Sequence, residues 1–218
     1  MTSEMSDTEK SIEWSKTILK DDKWCILDTE TTGLSNNAEI IQIGVLTSSG
    51  EEYQTLVKPT IEISEAASGI HGIHNDDVAQ ALPFEQVFLD VWKLLSNRDV
   101  IIYNAEFDLK VIRNSLKARG IQIAFPTSDR RNCRIFVNGG SIHCAMHYYS
   151  QYVGEWNDYH GNYKWQKLPG GDHSALGDCK ATLEVIKQMS DPQNLTSEEP
   201  DPDDIPFNLG SSDDLKYF

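Results

Sequence analysis

The chain has 218 residues, 39% of them apolar and 24% charged, enough for one compact domain with tails and too apolar for a disordered sequence. No apolar run approaches the roughly 18 residues of a membrane span; the opening Met1-Thr2-Ser3-Glu4-Met5-Ser6-Asp7 lacks a secretory signal's basic flank and apolar core, and Cys25, Cys133, Cys144 and Cys179 form no CxxC pair, so a reduced, cytoplasmic chain is expected and membrane, secreted and fibrous classes are set aside. The net charge of −15 argues against a phosphate-rich partner, but it is uneven: residues 191–218 hold eight acids and one base, whereas residues 110–134 hold seven bases and one acid.

Residues 8–19 carry Ile12, Trp14, Ile18 and Leu19 at helical spacing. Trp24-Cys25-Ile26-Leu27 is an apolar run that predicts a buried strand leading into Asp28. Residues 40–45 alternate around Gln42 and Gly44, residues 53–57 form the next β-like run, and Gly50 between them reads as a hairpin turn. Three successive antiparallel strands are therefore predicted. Residues 84–95, behind Pro83, place Phe84, Val87, Phe88, Val91 and Leu95 on one helical face, and Val100-Ile101-Ile102-Tyr103 predicts a short buried strand. From Phe107 onward Leu109, Ile112 and Leu116 share a face while Lys110, Arg113 and Lys117 form a basic stripe, until Gly120 stops the helix. A weaker strand is expected over residues 134–137, a helix over 144–153 and a last helix over 173–189, with Leu176, Leu183 and Ile186 spaced for burial. Beyond Asp191, Pro192, Pro200, Pro202 and Pro206 interrupt a run of acids, which predicts a solvated, disordered tail. The chain thus divides into a lead-in with a short helix (1–22), one α/β domain (23–190) and an acidic tail (191–218). The order β-β-β-α-β-α-β-α-α suits one mixed sheet, three antiparallel strands followed by parallel ones, flanked by helices.

The densest polar run is Asp28-Thr29-Glu30-Thr31-Thr32-Gly33-Leu34, directly after an apolar strand. In extended chain, residues two apart share a face, so Asp28 and Glu30 project together. Two such carboxylates at a buried strand end repel by several kcal/mol unless one is protonated or a cation lies between them, and oxygen ligands suit Mg²⁺ or Mn²⁺. A pair of acids on a solvated hairpin is the plain structural alternative. Asp108 follows the second apolar strand in Tyr103-Asn104-Ala105-Glu106-Phe107-Asp108, and Asp178 stands five residues after His173. Taken singly, these read equally as a first-turn acid, a surface acid and a loop histidine.

Together the blocks resemble the DEDDh (DnaQ-like) 3′–5′ exonucleases of the ribonuclease H-like fold: D-x-E-T-T-G at 28–33, N-x-x-F-D at 104–108 and H-x4-D at 173–178, with Ile70-His71-Gly72-Ile73 ahead of Asp76 and Asp77 between them. The resemblance covers roughly residues 20–190. It implies two Mg²⁺ or Mn²⁺ ions, one held by Asp28, Glu30 and Asp178 and the other by Asp28 and Asp108, with His173 as general base. It also implies that Thr31, Leu34, His71 and Phe107 contact the 3′-terminal nucleotide and that Asn104 fixes its sugar region or the second-motif turn, although core packing is an equal explanation of Phe107. The expected activity is release of nucleoside 5′-monophosphates from single-stranded DNA or DNA 3′ ends. An RNA-trimming enzyme and a non-catalytic docking module are the alternatives.

Three features stand apart from this pattern. Tyr148, Tyr149, Tyr152, Trp156, Tyr159, His160, Tyr163 and Trp165 crowd one segment, as a wall that stacks bases or as a satellite core. His143 and His147 are spaced one helical turn apart, but no four-ligand set completes a zinc site. The tail's Asp203-Asp204-Ile205-Pro206-Phe207 is similar to the acidic tip of bacterial single-stranded-DNA-binding proteins, and 214–218 loosely resembles a sliding-clamp peptide, so the tail is a candidate for docking a protein partner.

Overall fold

The computed structural model describes residues 5–121 and 140–191. The strand expected at 134–137, Arg130, Arg131 and Arg134 of the basic segment, and the tail beyond Asp191 lie outside the described residues.

The first helix, α1 (Asp7–Lys20), starts in a reciprocal cap: the Glu9 N–H donates to Ser6 Oγ, and the Ser6 N–H to the Glu9 carboxylate. Strands β1 (Trp24–Thr31), β2 (Ile40–Thr47) and β3 (Glu52–Lys58) follow as an antiparallel meander, with Gly50 at φ +84° in the β2–β3 turn. Two short helices, α2 (Glu65–His71) and α3 (Asn75–Val78), lead to β4 (Leu82–Pro83) and α4 (Phe84–Leu95). Next come β5 (Asp99–Ile102), α5 (Ala105–Ala118), β6 (Ile142–Cys144), α6 (Ala145–Val153), the hairpin of β7 (Trp156–Asn157) and β8 (Asn162–Tyr163), and α7 (Ala175–Ser190). The main sheet runs β4-β3-β2-β1-β5-β6, with β5 parallel to β1 and β6 parallel to β5. This is the expected mixed sheet flanked by helices. Among the described residues no helix is long and apolar enough to cross a membrane.

Helices cover both faces of the central strands, so β1 is buried on both sides. Cys25 and Leu27 pack with α4 and α5; Trp24 and Ile26 pack with α1, α6 and α7. That sandwiching is why β1 and β2 read as apolar runs rather than clean alternations.

Several boundaries differ from the sequence expectation. β1 runs through the acid pair to Thr31, four residues past the apolar run that announced it, because Asp28 to Glu30 remain paired with β2. α5 begins at Ala105, two residues before Phe107, with the Asn104 carbonyl accepting from the N–H groups of Phe107 and Asp108. His173 precedes α7 and sits at φ +58°. His143 lies on β6, not on a helical turn with His147, and its Nδ1 accepts from Trp14 Nε1 at 3.1 Å. The short α2, α3, β4, β7 and β8 have too few residues to show a period.

One close approach positions the site. Where α7 begins, its backbone lies on Gly44 of β2: a Cβ there would come within 2.6 Å of the Ala175 carbonyl carbon. Gln42 Oε1 accepts the Ala175 N–H at 2.9 Å and Gln54 Oε1 the Leu176 N–H at 2.8 Å, so β2 and β3 satisfy helical donors that would otherwise be orphaned. Gly44→Ala is expected to destabilise the fold by about 1–3 kcal/mol through overpacking and to displace Asp178. Thermal unfolding checks this, and an unchanged midpoint would show that α7 shifts freely.

Candidate active site

The acids come from three elements. Asp28 and Glu30 lie on the α7 side of β1, the side of Trp24 and Ile26, and Asp178 reaches them from the first turn of α7. Carboxylate oxygens of these three residues lie within 4.8 Å of one another. Asp108, in the first turn of α5, approaches from the opposite side of β1, where Thr29 meets it: Thr29 Oγ1 donates to Asp108 Oδ1 at 2.7 Å. The structure thus draws Asp28, Glu30 and Asp178 into one cluster and sets Asp108 beside it, buried and oriented by a hydroxyl.

The electrostatics of this group are unfavourable as it stands. Burial, then the charges of Asp108, Asp178 and Glu30, push Asp28 well above the usual carboxylate range. Burial, then Asp178, Asp108 and Asp172, push Glu30 up to about 8. Asp108 is raised by burial against the opposing hydrogen bonds of Thr29, and Asp178 by burial against the N–H groups of Asp172 and His173. None of the four forms an ion pair with a Lys or Arg of the described residues. Oxygen-only, partly solvent-accessible and lacking cationic partners, the set fits a hard divalent cation.

The loop before α7 is tied to the same acids. Asp178 Oδ1 accepts from Asp172 N–H at 3.0 Å and His173 N–H at 3.2 Å, while Asp172 Oδ1 accepts from the Ser174 N–H and hydroxyl. Ser174 in turn caps α7 through the Gly177 N–H. A side chain at Gly171 would meet Asp178 Oδ1 at 2.9 Å, so glycine there lets the loop lie against the carboxylate. His173 is thereby exposed on the rim of the cluster.

The other expected contact residues divide. Thr31 is buried, its hydroxyl donating to the Gly33 carbonyl, and its own carbonyl lies 3.2 Å from His71 Nε2. His71, at the end of α2, is half-buried, with its pKa lowered by burial and by the nearby His173 and His74 against the bond to Thr31. Leu34 is 42% exposed, free to meet a ligand. Asn104 caps α5 with its backbone only. Phe107 is half-buried against the α4–α5 core, with Lys110 Nζ 5.4 Å from its ring centroid, which favours the packing role. Arg113 and Lys117 are exposed opposite that core.

The aromatic segment also divides. Tyr148, Tyr149 and Tyr152 pack into the α1–α6–α7 core, Tyr148 stacked on Trp14 with centroids 3.9 Å apart, whereas Trp156, Tyr159 and Trp165 are exposed.

Sequence reasoning missed Thr29, Gln42, Gln54 and Gly171. Only Gln42 left a trace, as a polar residue inside an apolar strand. Thr29→Val keeps the shape but leaves a buried carboxylate short of a donor, an expected loss of about 1.5–3 kcal/mol. Divalent affinity should weaken about 10–100-fold, as for other residues that orient ligands. A Mn²⁺ titration monitored by thermal shift checks this, and affinity equal to the parent's would deny Thr29 that role.

The chain is similar to known exonucleases in sequence and in fold. The RNase T family model, described as an exonuclease, matches residues 25–186. An uncharacterized exonuclease, CP81 of Escherichia phage 186, is 35% identical over 199 residues, covering 85% of this chain and 97% of that protein. The DNA polymerase III subunit epsilon of Buchnera aphidicola subsp. Schizaphis graminum is 35% identical over 98 residues, 40% of this chain and 42% of the subunit. Among solved structures, E. coli Exonuclease I in complex with a dA16 oligonucleotide shares the fold at 17% identity, with a TM-score of 0.55 over 81% of this chain and 42% of that one.

Proposed function

Because the chain belongs to the DEDDh (DnaQ-like) family of 3′–5′ exonucleases, we propose that it hydrolyses single-stranded DNA or DNA 3′ ends, releasing nucleoside 5′-monophosphates. The observation that carries this reading is the convergence of Asp28, Glu30 and Asp178 beside a loop that holds His173 at the rim. Asp28, Glu30 and Asp178 would hold one divalent ion, Mg²⁺ or Mn²⁺, and Asp28 with Asp108 a second. When bound, such a pair supplies charge stabilisation to the attacking and leaving oxygens of a phosphodiester.

The chain's own residues do the rest. His173 takes the proton of the attacking water, for which an imidazole is suited near neutral pH. Exposed Leu34 presses on the terminal base, and His71, beside the Thr31 carbonyl, lines the same edge. DNA is favoured by the similarity to a DNA polymerase subunit and by the dA16 bound to a protein of the same fold. RNA trimming is the second reading, favoured by the match to the RNase T model.

The test is degradation of 5′-labelled DNA and RNA oligonucleotides of matched sequence, with Mg²⁺ or Mn²⁺ and an EDTA control. The expected result is a metal-dependent ladder that is faster on DNA. A faster ladder on RNA would promote the second reading, and no ladder on either would overturn both.

A further inference from the structure

We propose that the β7–β8 hairpin and the irregular segment leaving it form a stacking platform for the single-stranded segment upstream of the scissile nucleotide, an extension that rests on the nuclease reading above. Trp156 is 52% exposed, Tyr159 90% and Trp165 49%, three large aromatic rings in solvent within ten residues. A hairpin of two residues per strand has no core of its own to require them. Exposed apolar surface gathered in this way marks a contact site.

The platform is built rather than frayed. Asn157 Oδ1 accepts from the N–H groups of Tyr159 and His160, which sets the turn and turns Tyr159 outward. Trp156 meets Tyr163 edge-on, with centroids 5.1 Å apart at 88°, and the Tyr163 hydroxyl donates to Asp7 Oδ2 at 3.1 Å, tying the hairpin to α1.

It is also continuous with the active site. Tyr103, between β5 and the Asp108 turn, donates its hydroxyl to the carbonyls of Gln166 and Lys167 at 2.8 Å each, pinning the chain beside Trp165 to the end of the sheet where the acids cluster. Five and six residues after Lys167 the chain reaches Asp172 and His173, both bonded to Asp178. A strand with its 3′ end on the acids would leave along this wall. Rings that accept any base suit an enzyme that must hold each successive nucleotide, because every base offers a π-face.

The test uses the full chain with Mn²⁺ and compares KM for a 5′-labelled dT12 with KM for a small aryl ester of thymidine 5′-phosphate, which occupies the acid cluster alone. In Trp165→Ala and Tyr159→Ala the ratio of the two constants should rise about tenfold, and Trp165→Phe should restore most of it. Tyr159 is too exposed for its loss to unfold the chain. An unchanged ratio, as for a hairpin that recruits a protein, or a parallel change on both substrates would overturn the proposal. If the parent cleaves neither substrate, the nuclease reading fails separately. Fluorescence anisotropy of labelled dT12 then decides: weaker binding by the two alanine variants supports the platform, and equal binding overturns it.

Discussion

Asp28→Asn is expected to cut turnover at least about 1,000-fold, some 4 kcal/mol of transition-state stabilisation, and yet to raise the thermal midpoint of the metal-free protein. Both effects share one cause. Asp28 is the residue that both proposed ions would share, and its carboxylate is also pushed well above the usual range by burial and by its acidic neighbours. An amide keeps the shape and removes the repulsion. The same physics sets a pH dependence. A carboxyl raised in the folded state favours folding when protonated, so its contribution is complete below the ordinary carboxylate range and is lost as pH rises through the folded value. For Glu30 that window runs from about 4.5 to about 8. The metal-free parent should therefore lose thermal stability across this range, and Mn²⁺ should restore it at the upper end. Asp28→Asn should flatten the profile. Parent-like turnover together with an unaltered melting profile would remove Asp28 from the site.

His173→Ala should lose about 100- to 10,000-fold in kcat at neutral pH, the usual worth of a positioned general base, and recover part of it at high pH, where hydroxide needs no base. The backbone offers a control. His173 sits at φ +58°, a conformation that costs a non-glycine residue roughly 1–2 kcal/mol. His173→Gly should therefore fold at least as stably as the parent while being as inactive as His173→Ala. That pairing separates the imidazole from the loop that carries it. A pH–rate profile with the parent's shape in both variants would assign the proton transfer elsewhere.

Much of the molecule was legible in its residues. The apolar runs of β1 and β5, the helical faces of α4 and α5, and the turn at Gly50 are periodic or local features that neighbouring residues specify by themselves. The four acids and His173 were singled out by the combination of blocks that resembles a known family, since Asp108, Asp178 and His173 each have a plain structural reading when taken singly. The ends of those elements were less so: β1 runs past its apolar segment because β2 pairs with it, and α5 starts early because Asn104 offers its carbonyl.

What the sequence alone determined, then, is the order of the longer elements, the mixed sheet and the candidate acids. Which carboxylates face one another was decided by tertiary structure. Asp28, Glu30 and Asp178 share a side of β1 because Gly44 lets α7 lie on β2 and because Gln42 and Gln54 accept its first N–H groups. Asp108 is set apart by Thr29, a partner 79 positions away. The division of the aromatic segment was likewise decided by packing: Tyr148, Tyr149 and Tyr152 lie on α6 within the α1–α6–α7 core, whereas Trp156, Tyr159 and Trp165 stand outside it. Periodicity reports a residue's neighbours along the chain, whereas steric room and a buried hydrogen bond depend on residues that only the closed fold brings together.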